Sequence, residues 1–137
     1  MSAKPPEIPL DLYYTNSHEW AKLVEGDILV GISAHAVEEM GNDIVHIELP
    51  PVGKKIKQLE SFGVIDSVKA AFDLYSPIGG EIIEVNAKAG EDPSLIAQSP
   101  YEKGWLIRIN PTSVSELDNL LTAQAYKNML ETEGTAH

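Results

Sequence analysis

The centre of this chain is punctuated so often by proline and glycine that only short extended segments fit between the breaks. "DIVHIELP" sets Ile44, His46 and Glu48 against Val45, Ile47 and Leu49, the period-2 pattern of a strand with one buried face. Pro50 and Pro51 end it. "GKKIKQLESFGVID" and "AFDLYSPIGGEIIEVNAKAG" continue with short strands bounded by Gly and Pro, the spacing of a small barrel or sandwich. Upstream, "HEWAKLVEGDILVGIS" offers two β-favouring runs around a turn at Gly26, a hairpin pattern. Ser33 then caps a brief helix, "AHAVEEM", that Gly41 stops. The segments "LPPVGKKI" and "SPIGGEII" share an order of proline, aliphatic residue, glycine and strand, a sign of a quasi-duplicated β unit.

The two ends depart from this pattern. "MSAKPPEIPLDL" holds three prolines, each of which removes a donor and pushes the preceding residue toward extended backbone, so residues 1–11 are expected to form an extended arm. At the other end Leu117, Leu120, Leu121, Ala125, Met129 and Leu130 recur at helical spacing. Ser113 and Glu116 have the S-x-x-E order of a capping box, and a break is expected near Thr122. A helical tail on a β core gives a mainly-β or α+β domain, and 137 residues suffice for one such domain.

Charge and composition narrow the function. Lys+Arg 10 against Asp+Glu 21 gives a formal net charge of -11, which disfavours nucleic acid and anionic membrane and favours solubility or basic partner surfaces. There is no cysteine, so disulfides, thiolate metal sites and cysteine nucleophiles are excluded. With four histidines and no H-x-x-x-H or H-E-x-x-H spacing, no metal site is expected. No apolar run approaches a membrane span, and no secretory or transit pattern is visible at the N-terminus.

Against this acidic background "GVIDSVKAAFDLYSP" places Lys69 as the only basic residue between Lys57 and Lys88. The strand-like "FGVI" and "AFDLYSP" flank "DSVKA", which puts the lysine at a hairpin tip, although S-V-K-A-A has fair helix propensity too. A catalytic amine requires a depressed pKa, obtained by burial or by neighbouring cations. Asp66 and Asp73 favour the charged ammonium instead. The local sequence suits an exposed lysine that another enzyme acylates better than a base, and a plain solvated lysine is the alternative.

"DSVKAAFDLYSPIGGEIIEVN" resembles the signature of the H proteins of the glycine cleavage system, and "YTNSHEW", "VGIS", "DIVHIELPPVG", "SPYEKGWLIRI" and "SELDNLL…AYKNMLE" look like further blocks of that family in family order. The resemblance covers residues 12–131, which become the expected lipoyl-carrier domain with its C-terminal helical segment, leaving 132–137 as a flexible tail. It implies a mainly-β barrel-sandwich hybrid of two quasi-symmetric halves. It also implies lipoate joined to Lys69 as N6-lipoyllysine, on a carrier without catalytic activity of its own. That arm would receive the aminomethyl group of glycine from the P protein, a pyridoxal phosphate decarboxylase. It would deliver the group to the T protein, an aminomethyltransferase using tetrahydrofolate, and be reoxidised by the L protein, a dihydrolipoamide dehydrogenase.

By the same resemblance Ser17, Glu19 and Asp73 line a cleft that holds the loaded arm, and Asp66, Ser67, Val68 and Ala70 are read by the lipoate-attaching enzyme. His18 and Trp20, like Trp105 and Leu106, are expected to pack or hydrogen-bond. The implied compartment is the cytoplasm in a bacterium and the mitochondrial matrix in a eukaryote. Asp66 stands where the family usually has glutamate, Phe72 where a small residue is usual, and Asn42 lengthens the usual "GDIV". These departures leave room for a protein that relays lipoate to other proteins or binds without being lipoylated. A biotinyl domain is disfavoured because its lysine is normally bracketed by methionines, whereas Val68 and Ala70 stand here. A Schiff-base enzyme is disfavoured for want of a burying pocket and an acid–base set.

Overall fold

The computed structural model of the chain describes residues 8–135. Its backbone is mainly β, in two sheets. The larger is built from β1 (Tyr13–Tyr14), β2 (Glu19–Val24), β3 (Asp27–Ile32), β5 (Lys55–Ile56), β8 (Gly80–Val85) and β9 (Ile107–Pro111), in the order β1-β2-β3-β9-β8-β5. The smaller orders β4 (Ile44–Glu48), β6 (Ser61–Ser67) and β7 (Ala71–Tyr75) as β4-β6-β7. Every strand pairing is antiparallel. Four helices join or close the sheets: α1 (Ala34–Glu39), α2 (Ala87–Glu91), α3 (Ser94–Gln98) and α4 (Ala123–Thr135).

Local chemistry explains the sharpest turns. Between β2 and β3 the chain reverses through Glu25 and Gly26, with φ of 52° and 87°, the paired left-handed backbone of the two-residue hairpin turn that matches strand twist. Ser33 caps α1 by accepting the N–H of Ala36 at 3.1 Å, and α1 ends at Met40 before Gly41, whose φ is 78°. The two similar segments of the sequence meet in space. β5 and β8 lie side by side, with Lys55 opposite Glu81 and Ile56 opposite Gly80.

Apolar side chains from both sheets fill the space between them, with Ile28, Val30, Ile65, Leu74, Ile82 and Ile109 fully buried. Each such side chain contributes roughly 1.5–3 kcal/mol by leaving water, so this core dominates stability. A second cluster seats α4. The Tyr126 ring stacks on Tyr14 at 4.4 Å between centroids and 1° between planes, and Trp20 is buried beside them while its Nε1 donates to the Pro100 carbonyl at 3.0 Å. Leu106 is buried in the first core and Trp105 packs half-buried on the second.

Several expectations change. In β4 the strict alternation fails, because the register shifts between Ile44 and His46. This bulge puts Ile44 and Ile47 inside and leaves Val45 55% exposed, since an extra residue turns the later part of the strand to the other face. The Ser113–Glu116 capping box does not form. Residues Val114–Asn119 make a 3-10 helix with no side-chain cap at Ser113, and Glu116 Oε1 instead accepts the Gly79 N–H at 2.9 Å.

The chain breaks after that turn, where Leu121 bridges to Tyr14. It resumes as α4 with Thr122 Oγ1 accepting the Ala125 N–H at 3.2 Å. α4 continues to Thr135, so residues 132–135 are helical backbone where a tail is expected, and 136–137 lie outside the described residues. Of the expected arm, residues 1–7 also lie outside them. Residues 8–11 carry no strand or helix, only a turn at Leu10 and Asp11.

Candidate functional site

The hairpin between β6 and β7 carries Val68, Lys69 and Ala70 at its tip, all exposed, with Val68 at 69%. Ser67 holds the turn shut from below. Its buried side chain donates to the Ala70 carbonyl at 3.2 Å and accepts the Ala70 N–H at 3.2 Å, while the Ser67 N–H donates to the same carbonyl at 2.8 Å. The Val68 N–H donates to the Asp43 carbonyl at 3.1 Å, which pins the tip to the residue just before β4. A fixed turn thus presents a long side chain to solvent. Among the described residues, the Lys69 ammonium has no carboxylate within ion-pair distance. Asp66 sits half-buried at the end of the ladder, opposite His46 and Ala71. The sequence expects a hairpin tip here, and the structure has one.

Beginning two residues past Lys69, strand β7 walls a cavity of about 370 Å³. Its other wall comes from α1 and the entry to β2, and its lining includes Ile32, Ala36, Met40, Phe72 and Leu74 together with Ser17, Glu19 and Asp73. The three cleft residues named from the resemblance, distant in the chain, therefore meet in one cavity. Nothing in the sequence alone marks Thr15, His18, Glu39 or Tyr75 as part of the same neighbourhood.

Glu19 is the buried acid of this site, 1% exposed. Its Oε1 accepts the hydroxyls of Thr15 and Ser17, both at 2.5 Å, and its Oε2 accepts the Tyr75 N–H at 3.0 Å. Burial raises its pKa above the ordinary 4.5, because desolvation disfavours the charged form, and the hydrogen bonds from Ser17, Thr15 and Tyr75 oppose the rise without cancelling it. Asp73, by contrast, is exposed. Beside the cavity the fold also gathers His18, His35 and Glu39, whose ligand atoms lie within 4.8 Å of one another. Linear spacing, the basis for expecting no metal site, cannot see that grouping.

Two packed sheets, a protruding lysine hairpin and a largely apolar cavity lined by the strand that follows it define a carrier-type domain of barrel-sandwich architecture. Similarity to known proteins names the family. The Glycine cleavage H-protein family matches residues 12–133, and the chain belongs to it. A glycine cleavage system H protein of Alcanivorax borkumensis is 48% identical over 127 residues, covering 93% of this chain and 98% of that one. A mitochondrial one of Flaveria pringlei is 45% identical over 126 residues, covering 92% of this chain and 77% of that one. The crystal structure of a glycine cleavage system H protein from Mycobacterium marinum superposes with a TM-score of 0.83 at 42% identity, covering 90% of this chain and 99% of that one. Relatives thus occur in bacteria and mitochondria, and among the described residues no helix is long and apolar enough to cross a membrane.

Proposed function

We propose that this chain carries the aminomethyl group of glycine from the P protein to the T protein on a lipoyl group bound to Lys69, with the L protein reoxidising the arm. One observation carries the proposal: an exposed amine stands at a braced hairpin tip, two residues from the strand that walls an apolar cavity. The residues fit such a group, because an exposed tip is open to a lipoate-attaching enzyme and the strand that follows it lines the cavity from Ala71 onward. When bound, the lipoyl group supplies a disulfide whose opening takes up the carried fragment.

The rest is done by this chain's side chains. Lys69 supplies the amide nitrogen and the reach. Ile32, Met40, Phe72 and Leu74 exclude water from the interior of the cavity. Asp73, at the exposed edge, and the Ser17–Glu19 pair offer oxygen acceptors to a protonated amine. Glu19 retains acceptor capacity at Oε2 after the Tyr75 N–H is counted, because each carboxylate oxygen has two lone pairs. Asp66, Ser67, Val68 and Ala70 form the shape that the attaching enzyme reads. No residue of the site is called on to break a bond, so the chain serves as a carrier. Its net charge of -11 steers it toward basic partner surfaces.

The test is the intact mass after incubation with lipoate, ATP and a lipoate ligase, followed by glycine-dependent NAD reduction with the P, T and L proteins. A lipoyl amide mapped to Lys69, and activity that vanishes in Lys69→Arg, support the carrier. An unmodified chain instead favours a protein that only binds, and full activity in Lys69→Arg excludes the mechanism.

A further inference from the structure

Beside the arm cavity stands a cluster that the carrier function leaves unused. His35 and Glu39 lie one turn apart on α1, and His18 approaches them from the entry to β2. His18 has a φ of 77°, a left-handed backbone uncommon for a residue with a side chain, although histidine adopts it more readily than most. From there His18 Nε2 lies 3.6 Å from Glu39 Oε1, and His35 Nε2 lies 3.4 Å from Glu39 Oε2. Good hydrogen bonds between such atoms are shorter, about 2.7–3.2 Å. Two donors that each sit about 2.0–2.1 Å from one tetrahedral ion are separated by about 3.4 Å, so a modest inward movement of the three ligand atoms, which now lie within 4.8 Å of one another, closes them around an ion.

Two further observations agree. His35 Nε2 is buried and has no hydrogen-bond partner among the described residues, a costly condition that calls for an occupant such as an ion or water. On the far side of the His18 ring, Nδ1 is 2.8 Å from Tyr126 Oη, which is 2.7 Å from Ser33 Oγ. With the proton on Nδ1 donated to Tyr126, Nε2 turns its lone pair toward the Glu39 side. This is the outer hydrogen bond by which proteins orient histidines that bind metal.

We propose that His18, His35 and Glu39 bind one divalent transition-metal ion of the zinc class. Two imidazoles and a carboxylate favour such an ion over calcium or magnesium, which prefer all-oxygen shells. Three protein ligands leave a fourth position for water. The ion ties the entry of β2 to α1, and because His18, Ala36 and Glu39 line the arm cavity, it stiffens that wall. The site stands on these three side chains alone and does not depend on lipoylation.

The test uses the full-length chain stripped with chelator and titrated with Zn²⁺ by calorimetry, with Co²⁺ as a spectroscopic stand-in. One ion per chain, the intense visible absorption of four-coordinate cobalt, and a Zn²⁺-dependent rise in melting temperature are expected. Glu39→Gln and His35→Gln should each weaken binding by at least about tenfold, the loss caused by removal of even an outer-shell partner. His46→Gln, on the exposed side of β4, should bind as the parent does. Glu39 is 55% exposed, so Glu39→Gln keeps its fold, and circular dichroism confirms that. Absence of saturable zinc uptake, or uptake equal in Glu39→Gln and the parent, overturns the site.

Discussion

Glu19 Oε2 accepts the backbone N–H of Tyr75 at 3.0 Å, a bond that joins β2 of the larger sheet to β7 of the smaller one. The same carboxylate gathers Thr15 and Ser17 through its other oxygen. Glu19 therefore fixes the strand that leads from the lysine tip, besides facing the cavity. Glu19→Ala removes the acceptor of the buried Thr15 hydroxyl and of the Ser17 and Tyr75 donors, at about 0.5–1.5 kcal/mol for each net hydrogen bond. Urea unfolding should show that loss, and an unchanged midpoint would deny the bond its role.

The raised pKa of Glu19 predicts a direction with pH. The folded protein holds this proton more tightly than the unfolded chain, so the group stabilises most in acid. Its contribution falls as pH rises from the ordinary 4.5 through the higher folded value, and is flat above it. Glu19→Gln abolishes that dependence. Unfolding free energies of the parent and variant, compared from below pH 4.5 to neutrality, should show the parent losing ground to the variant as pH increases.

The Asp73 side chain is exposed at the cavity edge and, among the described residues, forms no ion pair, while its backbone pairs with Val64 in the β6–β7 ladder. Asp73→Asn is expected to leave stability within about 0.5 kcal/mol of the parent, and lipoylation unchanged. Loss of an exposed charge partner worth about 1 kcal/mol should speed hydrolysis of the loaded arm roughly fivefold. Quenched-flow release of formaldehyde measures it.

Gly31 faces Trp20 across the β2–β3 ladder, and a Cβ there would lie 2.5 Å from the indole ring. Gly31→Ala must push the buried ring aside, at about 1–3 kcal/mol for overpacking. A lower melting temperature with altered Trp20 fluorescence is the expected result, and a parent-like spectrum would contradict the packing.

How much can be read in advance depends on the range of the forces involved. The Glu25–Gly26 turn, the Ser33 cap and the Lys69 tip are set by residues within a few positions of one another, so the sequence shows them. The bulge at Val45 is hidden because its cause is the partner strand β6, and the capping box fails because Gly79, 37 residues away, competes for Glu116. Ser17, Glu19 and Asp73 are reached only through likeness to a family. Nothing in their spacing announces that Glu19 will be buried or that Tyr75 will bond to it. The grouping of His18 with His35 depends on a turn that places two imidazoles 4.8 Å apart.

The stack of Tyr126 on Tyr14 has a reach beyond the helix it anchors. Through one phenol oxygen, α4 is coupled to the serine that starts α1 and to the imidazole that lines the cavity. A protease cut ahead of Tyr126, or a partner that prises the last helix away, would release both at once. The last helix thereby braces a cavity whose walls come from residues 17–40 and from the strand after the lysine tip.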